Sequence, residues 1–422
     1  MNSLAQQDQN KFTIDLTNFD LLQNLNLSNS YSFKIDYQQI QFLKVNLNNL
    51  KIDGDQILQN LFQLALKCTN LTSLNICLDS TLISDLCLVQ IQKILLNSLK
   101  FKQLQLNLSS NLITTEGVQL IAKGISANVN LQSISLNFDK NQICSQGLKS
   151  LSSSIISLRE LKNLNKLVLG FEKNQIESDA AIELGKLIEQ TKQLESLALN
   201  FNNNKIKTEG AFKICKGVSQ CSQIKDLALM FNNIYLIYDQ QKYGLQPLGI
   251  QISKCRLLKK LILDLGQNSN SSYNELLPIL TNCKKLRHLE FKFDSKITEL
   301  QLRTELNQFY LVIERAININ YLYLNIENYT FGTQGGQLLI NQLLKCKNLM
   351  ALQLNLIETN ISTTDFESLI LESRRNLSLS QFYCTLQQSW LTQLQNNKNK
   401  YLKLFKKSAK MVKYNLIFIK SF

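Results

Sequence analysis

The chain is poor in the residues on which most catalytic and metal sites depend. Its 422 residues include a single histidine, His288, and two prolines. A Ser-His-Asp or Cys-His centre would have to be built around that one imidazole, and no catalytic motif adjoins it. The sequence contains no GxxxxGK[ST] phosphate loop, no GxGxxG turn and no His-Arg-Asp or Asp-Phe-Gly kinase signature. We therefore expect no catalytic residue and no cofactor, and we interpret His288 as a surface residue on a strand.

Ten cysteines are present, but none of them forms the CxxC pairs of a metal site. A spacing set by a repeat predicts a column of buried free thiols, which fits a reducing compartment. The segment from Met1 to Ser30 lacks the basic and apolar regions of a secretory signal, and no apolar run is long enough to span a bilayer. We expect a cytoplasmic protein, with a nuclear one as the alternative. The cysteines that share one position, six residues before a strand anchor, are Cys68, Cys221, Cys255, Cys283 and Cys346.

A short cassette recurs between an alternating apolar run and an amphipathic stretch. Before the cassette, Leu197, Leu199 and Phe201 alternate with small or polar residues, which predicts a strand with one buried face. Asn204 follows, and its amide can satisfy backbone groups where the chain leaves the sheet; Asn111, Asn141, Asn174 and Asn268 hold the same position. The cassette's Thr or Ser is expected to cap the following helix. The copies are Thr115-Glu116-Gly117, Ser145-Gln146-Gly147, Ser178-Asp179-Ala180, Thr208-Glu209-Gly210 and Thr333-Gln334-Gly335.

The spacing of these units can be counted from the first inward residue of each strand. Eleven such positions follow one another at a near-constant interval of roughly 30 residues. A fixed period of this size indicates a solenoid, in which each unit buries its apolar face against its neighbours. The positions are Leu43, Leu74, Leu104, Ile134, Leu167, Leu197, Leu227, Leu261, Leu289, Leu322 and Leu352.

With these features the chain resembles leucine-rich repeats, specifically the long strand-plus-helix type of the ribonuclease inhibitor family, from about residue 42 to residue 386. The resemblance implies an α/β solenoid, a horseshoe with a parallel β-sheet on its concave face and helices on its convex face. In one departure from the family pattern, Leu199 and Phe201 both precede Asn204, so the strands are about one alternation longer. Arrays of this variant resemble protist proteins, some of them attached to kinase domains. We expect an N-terminal cap over residues 1–41, an array of eleven to twelve units over 42–386, and a lysine-rich terminal repeat or C-terminal cap over 387–422.

The resemblance also indicates where a partner would bind, because residues between the inward strand positions face the concave side. Near the middle of the array these residues become apolar, and charged and aromatic residues follow. Exposed apolar surface with a polar rim is typical of a binding site, although short side chains on a curved sheet can also be simply crowded. The predicted patch is Val168, Gly170, Ala198, Ala228, Met230 and Ile262, and the predicted cluster beside it is Asp264, Glu290, Lys292, Tyr321 and Tyr323.

Two further segments are candidates for binding. The repeat that runs from Leu227 to Leu261 is longer than its neighbours and carries Tyr235, Tyr238 and Tyr243, which suits either a binding loop or a loop packed on the array. The net charge is +14, of which residues 392–422 supply eight lysines and no acidic residue. That tail is either a basic amphipathic helix or a terminal repeat, since residues 411–418 match the strand template.

We therefore predict a non-catalytic protein–protein interaction scaffold that acts on no small-molecule substrate. One alternative is a regulator of an enzyme, such as a GTPase activator or an inhibitor. The other alternative is a protein that binds acidic membranes or nucleic acid through the lysine-rich tail.

Overall fold

The chain forms two compact units, Met1–Ile224 and Lys225–Phe422, in a computed structural model. The structure describes residues 5–8, 11–15, 37–49, 58, 62, 63, 65–158, 163–236, 246–268, 277–292, 310–327, 335–359, 361–373, 378–387 and 413–419. Among these residues, no helix combines the length and the apolar character that crossing a membrane requires.

The first unit is a sheet whose strands lie in chain order, with helices between them. Strand β1 is antiparallel to β2, and every later strand described in this unit pairs in parallel with the one before it. The strands are β1 (Ala5–Asp8), β2 (Lys11–Asp15), β3 (Phe42–Asn46), β4 (Ser73–Cys77), β5 (Gln103–Asn107), β6 (Ser133–Asn137), β7 (Lys166–Gly170) and β8 (Ser196–Asn200). The helices are α1 (Asp85–Asn97), α2 (Thr115–Ser126), α3 (Ser145–Ile156), α4 (Ser178–Gln190) and α5 (Lys207–Val218).

The second unit repeats the same plan with parallel strands throughout. Its strands are β9 (Asp226–Met230), β10 (Lys260–Asp264), β11 (His288–Lys292), β12 (Tyr321–Asn325), β13 (Ala351–Asn355), β14 (Gln381–Gln387) and β15 (Lys413–Ile419). Its helices are α6 (Gln246–Ile252), α7 (Leu277–Asn282), α8 (Gly335–Lys345) and α9 (Thr363–Ser373), and residues 310–315 are also helical. The predicted fold class, an α/β solenoid of strand–helix repeats, is confirmed.

The strand register is the one counted from the sequence. In the first unit Leu43, Leu74, Leu104, Ile134, Leu167 and Leu197 are direct partners on neighbouring strands. In the second unit Leu227, Leu261, Leu289, Leu322 and Leu352 pair in the same way, and Phe382 continues the row on β14. All of these side chains are buried. Period-2 burial on one face of the strands is therefore what fixes the sheet.

The asparagines after β5, β6, β7, β8 and β10 satisfy backbone groups of the turns, as their positions predicted, and they also join adjacent repeats. The Asn204 Nδ2 donates to the carbonyls of Phe171 (2.7 Å) in the preceding repeat and Phe201 (3.1 Å) in its own, while its Oδ1 accepts from the backbone N–H of Ile176 (3.0 Å). Equivalent bonds tie the other asparagines at this position to their preceding repeats. Each amide thus replaces backbone partners that a turning chain has lost.

The cassette hydroxyls do not cap their own helices, contrary to the prediction. They stand at the first helical position in α2, α3 and α4 and at the second in α5, and the residues before these helices are Thr114, Cys144, Glu177 and Ile206. Of these four, Thr114 caps with its side chain, by accepting from the N–H of Glu116 (3.3 Å). The Ser145 hydroxyl instead accepts from the N–H of Glu177 (2.9 Å), and Ser178 donates to the carbonyl of Ile206 (2.9 Å). The hydroxyls of Thr115, Ser145 and Ser178 therefore connect their repeats to the next one. Thr333 and Gln334 lie outside the described residues.

The cysteine column consists of buried free thiols, as predicted. Cys221 donates to the carbonyl of Ile188 (3.2 Å), and Cys346 donates to that of Ile313 (3.5 Å), so each thiol bonds to the helix of the repeat before its own. Burial raises the pKa of Cys221 to about 12 and that of Cys346 to about 11. These thiols stay protonated at neutral pH, and they serve packing.

Candidate functional site

The candidate site lies on the face of each sheet formed by the strand residues that alternate with the buried anchors, here called the open face. In the first unit, uncharged polar residues dominate the open face, with asparagine, serine and glutamine on β5, β6 and β8. Val168 on β7 pairs with Ala198 on β8, and both side chains are half-buried. Gly170 is buried, and a Cβ there would lie 2.6 Å from Oδ1 of Asn137 and 2.8 Å from Oδ1 of Asp139. It therefore offers a partner no side chain of its own.

Two carboxylates lie close together where β6 and β7 of the first unit end. Asn200 bridges them, since its Nδ2 donates to Oδ2 of Asp139 (3.0 Å) and to Oε2 of Glu172 (3.2 Å). Burial, followed by the charge of Glu172, raises the pKa of Asp139. Among the described residues no cluster of His, Cys, Asp and Glu has the arrangement of a metal site. The amide of Asn200 makes the pair a hydrogen-bonded edge of the open face.

The second unit holds the other half of the predicted patch. Ala228 pairs with Ile262, Met230 pairs with Asp264, and the three apolar side chains are half-buried on the open face. Asp264 was expected beside them as part of a charged contact surface, and that expectation is wrong because its side chain is only 6% exposed. Its Oδ1 accepts from the N–H of Gly266 (3.2 Å), and its Oδ2 lies 3.5 Å from Nζ of Lys292. The turn after β10 and the lysine on β11 thus hold this carboxylate in place.

An aromatic and charged cluster spans β11, β12 and β13. The His288 Nε2 lies 2.6 Å from Oε1 of Glu290, and the His288 ring stacks on Tyr321 with centroids 4.1 Å apart and planes at 10°. The Tyr321 hydroxyl donates to Oε1 of Gln353 (3.1 Å), and Tyr323 stands directly beside Glu290 on the next strand. We call these residues, His288, Glu290, Tyr321, Tyr323 and Gln353, the aromatic cluster.

Electrostatic interactions and burial fix the protonation states of the carboxyl group and the two phenols in this cluster. The hydrogen bond from His288, helped by the charges of Lys260 and Lys292, lowers the pKa of Glu290. Burial raises the pKa of Tyr321, and burial with the charges of Asp264 and Glu290 raises the pKa of Tyr323 to about 12. The carboxylate is therefore ionised at neutral pH, whereas both phenols keep their protons.

Sequence reasoning missed His288 as a member of the site. The residues predicted to face a partner lie one and three residues after each strand anchor, whereas His288 and Tyr321 lie one residue before the anchors Leu289 and Leu322. Half-buried residues occupy that position at many strands, including Lys260 on β10 and Gln381 on β14. Tyr321 was selected for its type, and the same register would have placed His288 beside it.

The two other candidate segments are described only in part. Tyr235 is 55% exposed at the start of the lengthened repeat, but Tyr238 and Tyr243 lie outside the described residues. In the tail, β15 pairs in parallel with β14 where the strand template was found. Residues 388–412, which carry most of the tail's lysines, lie outside the described residues.

Comparison with known proteins adds little to this geometry. No protein-family model and no curated protein matches the chain. Among solved structures, the chain is similar to the actin-binding site 2 of leiomodin-1, with 16% identity over 42% of this chain and 79% of that chain. The TM-score of 0.26 is too low for this likeness to carry an argument about shape or partner. The chain is thus a strand–helix solenoid like those of leucine-rich repeats, and the site must be interpreted from its own residues.

Proposed function

We propose that this chain is a non-catalytic scaffold that binds a protein partner through the open face of its repeats, with the aromatic cluster of the second unit at the centre of the contact. The observation that carries the proposal is the arrangement of His288, Glu290 and Tyr321. Two rings and a carboxylate are already oriented by one another on a rigid sheet. Such a surface loses little side-chain entropy on binding, which is what partner-binding hot spots require.

The half-buried apolar residues on β9 and β10 extend this surface. Ala228, Met230 and Ile262 offer short or flexible side chains beside the charged pair of Asp264 and Lys292. An apolar area next to oriented polar groups suits a protein side chain more than a small metabolite. On the first unit, Val168 and Ala198 offer a smaller apolar area of the same kind.

The finer identity of the repeat belongs to the same proposal. We infer a ribonuclease-inhibitor-like array, since the period of about 30 residues and the strand-to-helix plan both suit that type. Buried free thiols at one position of several repeats favour the cytoplasm or nucleus as the compartment. Regulation of an enzyme would be one way for such a scaffold to act, and it would be recognised by an effect on the captured partner's turnover.

The test is affinity capture of the tagged chain from its own cells, followed by binding measurements with the purified partner. Tyr321→Ala with Tyr323→Ala should weaken binding by about 30-fold or more, as loss of a hot spot does. The matched control is Gln103→Ala with Gln105→Ala, which alters the corresponding open-face positions of β5 in the first unit. Equal binding by the tyrosine variant and the wild type would remove the aromatic cluster from the proposal.

Arginine substitutions locate the contact by steric block. Ala198→Arg and Ala228→Arg together should abolish binding with little change in thermal stability, because both side chains are on the open face. Made singly, the two substitutions report on the first and the second unit separately. Strong destabilisation by either arginine would mean that its position is closed to a partner.

A further inference from the structure

One edge of the second unit is strongly basic. The turns that lead into β10 and β11 carry Arg256 and Lys259, then Lys284, Lys285 and Arg287, and the turn before β13 carries Lys347. All six side chains are exposed. These six residues, here called the basic edge, lie at the ends where the strands begin, so they are separate from the open face.

The fold brings the basic edge together from residues far apart in sequence. The N–H of Lys259 donates to the carbonyl of Lys225 (2.7 Å), the N–H of Arg287 to that of Lys259 (2.9 Å), and the N–H of Asn320 to that of Arg287 (2.7 Å). Successive turns therefore follow one another at the strand spacing of about 4.8 Å. The exposed side chains of Lys254, just after α6, and of Arg315, at the end of the helix before β12, add to the same edge.

The charge of this edge is not cancelled within the described residues. Glu314 pairs with Lys345 (3.1 Å), but among the described residues no carboxylate lies within ion-pair distance of the six side chains of the basic edge. The Arg287 Nη1 donates to the carbonyls of Lys284 (2.8 Å) and Leu286 (2.9 Å), which orients the guanidinium and leaves its charge in place. Uncancelled like charges at this spacing repel one another, so the edge suits a large anionic surface.

Two exposed aliphatic side chains stand among these cations. Ile317 lies in the turn before β12, Met350 directly precedes β13, and each is 51% exposed. The N–H of Met350 donates to the carbonyl of Asn320 (2.7 Å), which puts Met350 in the same row as Lys259 and Arg287. A nucleic acid would not explain these two side chains. Its phosphate backbone offers no apolar surface to them, and its bases stack on aromatic side chains. Lipid headgroups with acyl chains beneath them match both kinds of side chain.

We propose that the basic edge docks the protein on the surface of an anionic phospholipid membrane, with headgroups bound by Arg256, Lys259, Lys284, Lys285, Arg287 and Lys347. Ile317 and Met350 enter the interfacial layer beside them. Each basic residue near such a surface contributes about 1 kcal/mol of attraction, so the six are sufficient for reversible docking. Because the edge and the open face are different surfaces, docking leaves the open face of the second unit available to a protein partner.

The experiment is co-sedimentation of the full chain with vesicles of phosphatidylcholine alone or with added phosphatidylserine. Arg256→Glu with Lys284→Glu and Lys285→Glu should weaken binding to the serine-containing vesicles about 100-fold, given about 1 kcal/mol for each lost cation. The matched control is Lys100→Glu with Lys102→Glu and Lys192→Glu, which reverses three exposed charges in the corresponding turns of the first unit. The control should retain binding within about threefold, since its net charge is the same as that of the test variant but its basic edge is intact.

A second variant separates a membrane from other anions. Ile317→Asn with Met350→Asn should weaken vesicle binding about tenfold, and it should leave binding of a single-stranded oligonucleotide unchanged. Should the two triple variants lose binding equally, the lysine-rich tail or net charge would be responsible and the proposal fails. It also fails if wild-type protein ignores the anionic vesicles, or if its vesicle binding does not depend on Ile317 and Met350. Arg256→Gln with Lys284→Gln and Lys285→Gln replaces the first variant if charge reversal alters the circular dichroism spectrum.

Discussion

The two units use the same repeat plan but differ in the side chains on their open faces. In the first unit uncharged polar residues dominate the open face, and consecutive repeats are closed by Asn111, Asn141, Asn174 and Asn204. In the second unit the open face carries charged and aromatic side chains, while Asn268 closes a repeat in the same way as the asparagines of the first unit. Regular closure and binding chemistry are thus separable within one architecture.

The buried rings and the turn asparagines of the first unit pack against each other. In the first unit the rings of Phe138, Phe171 and Phe201 stack in sequence, with centroids 5.6 and 6.0 Å apart. The asparagine of each turn binds the backbone carbonyls of these same phenylalanines. In the second unit Cys255, Cys283 and Cys346 take the helix-end position that Cys68 and Cys221 take in the first unit, so this part of the packing is shared. We therefore expect the stability of each repeat in the first unit to depend on its closing asparagine.

The largest effect is expected from removal of a closing asparagine. Asn204→Ala deletes three donor contacts and leaves the N–H of Ile176 without its acceptor in a buried place, which should reduce the free energy of unfolding by about 3 kcal/mol. Urea unfolding monitored by circular dichroism measures it. Asn130→Ala, in an exposed turn of the same unit, is the control and should change stability by less than about 0.5 kcal/mol. Equal effects would contradict the role of the buried amide.

A smaller effect is expected where helices touch. A Cβ at Gly185 in α4 would lie 2.6 Å from the carbonyl oxygen of Lys213, a backbone atom that cannot rotate away. Gly185→Ala should therefore destabilise by about 2 kcal/mol, even though alanine favours a helix. In the second unit a Cβ at Gly266 would lie 3.4 Å from its nearest atoms, which is an ordinary van der Waals distance. Gly266→Ala should therefore cost less than about 1 kcal/mol. Tolerance of both alanines would show that the first unit is not the more tightly packed one.

The smallest expected effect is on the pH dependence of stability, to which Glu290 in the second unit and Asp139 in the first contribute with opposite signs. The lowered pKa of Glu290 gives stability that is complete above its ordinary value of 4.5 and is lost as pH falls through the lowered one. The raised pKa of Asp139 works in reverse, since it costs stability as pH rises from the ordinary value of 3.8 through the raised one. Each contribution should be about 1 kcal/mol or less.

Two isosteric variants measure that pH dependence. As the pH rises from 3 to 7, the unfolding free energy of Glu290→Gln should fall progressively below that of the wild type. Over the same pH range, the unfolding free energy of Asp139→Asn should rise relative to that of the wild type. Parallel profiles for both variants and the wild type would mean that neither carboxylate is perturbed by its neighbours.

Much of the fold could be predicted because it rests on periodic features. Leu197 and Leu199 alternate with small residues, and only one register of neighbouring strands buries all such leucines together. The position of Asn204 three residues after Phe201 also indicates its role, since an amide is the side chain that can both donate and accept at a turn. These inferences use one residue and its near neighbours in sequence.

Other features needed contacts between repeats. Asp264 is buried because the turn at Gly266 and Lys292 on the next strand enclose it, and neither is implied by its place in a polar row. The cassette serine Ser145 bonds to the backbone of Glu177 in the next repeat, so its helix-capping pattern was misleading. Arg256 and Arg287 belong to separate, unremarkable turns, and the basic edge exists because the sheet stacks them.

By itself, the sequence determined the repeat, its register, the buried rows and the asparagine turns, because each of these follows from local periodicity and the need to bury apolar side chains. Tertiary structure decided which surface residues meet. His288 joins Glu290 on its own strand but reaches Tyr321 only across a full repeat of the chain, and the basic edge is assembled from turns in the same way. Spacing along a strand is fixed by the chain, whereas spacing across strands is fixed by hydrogen bonds between them.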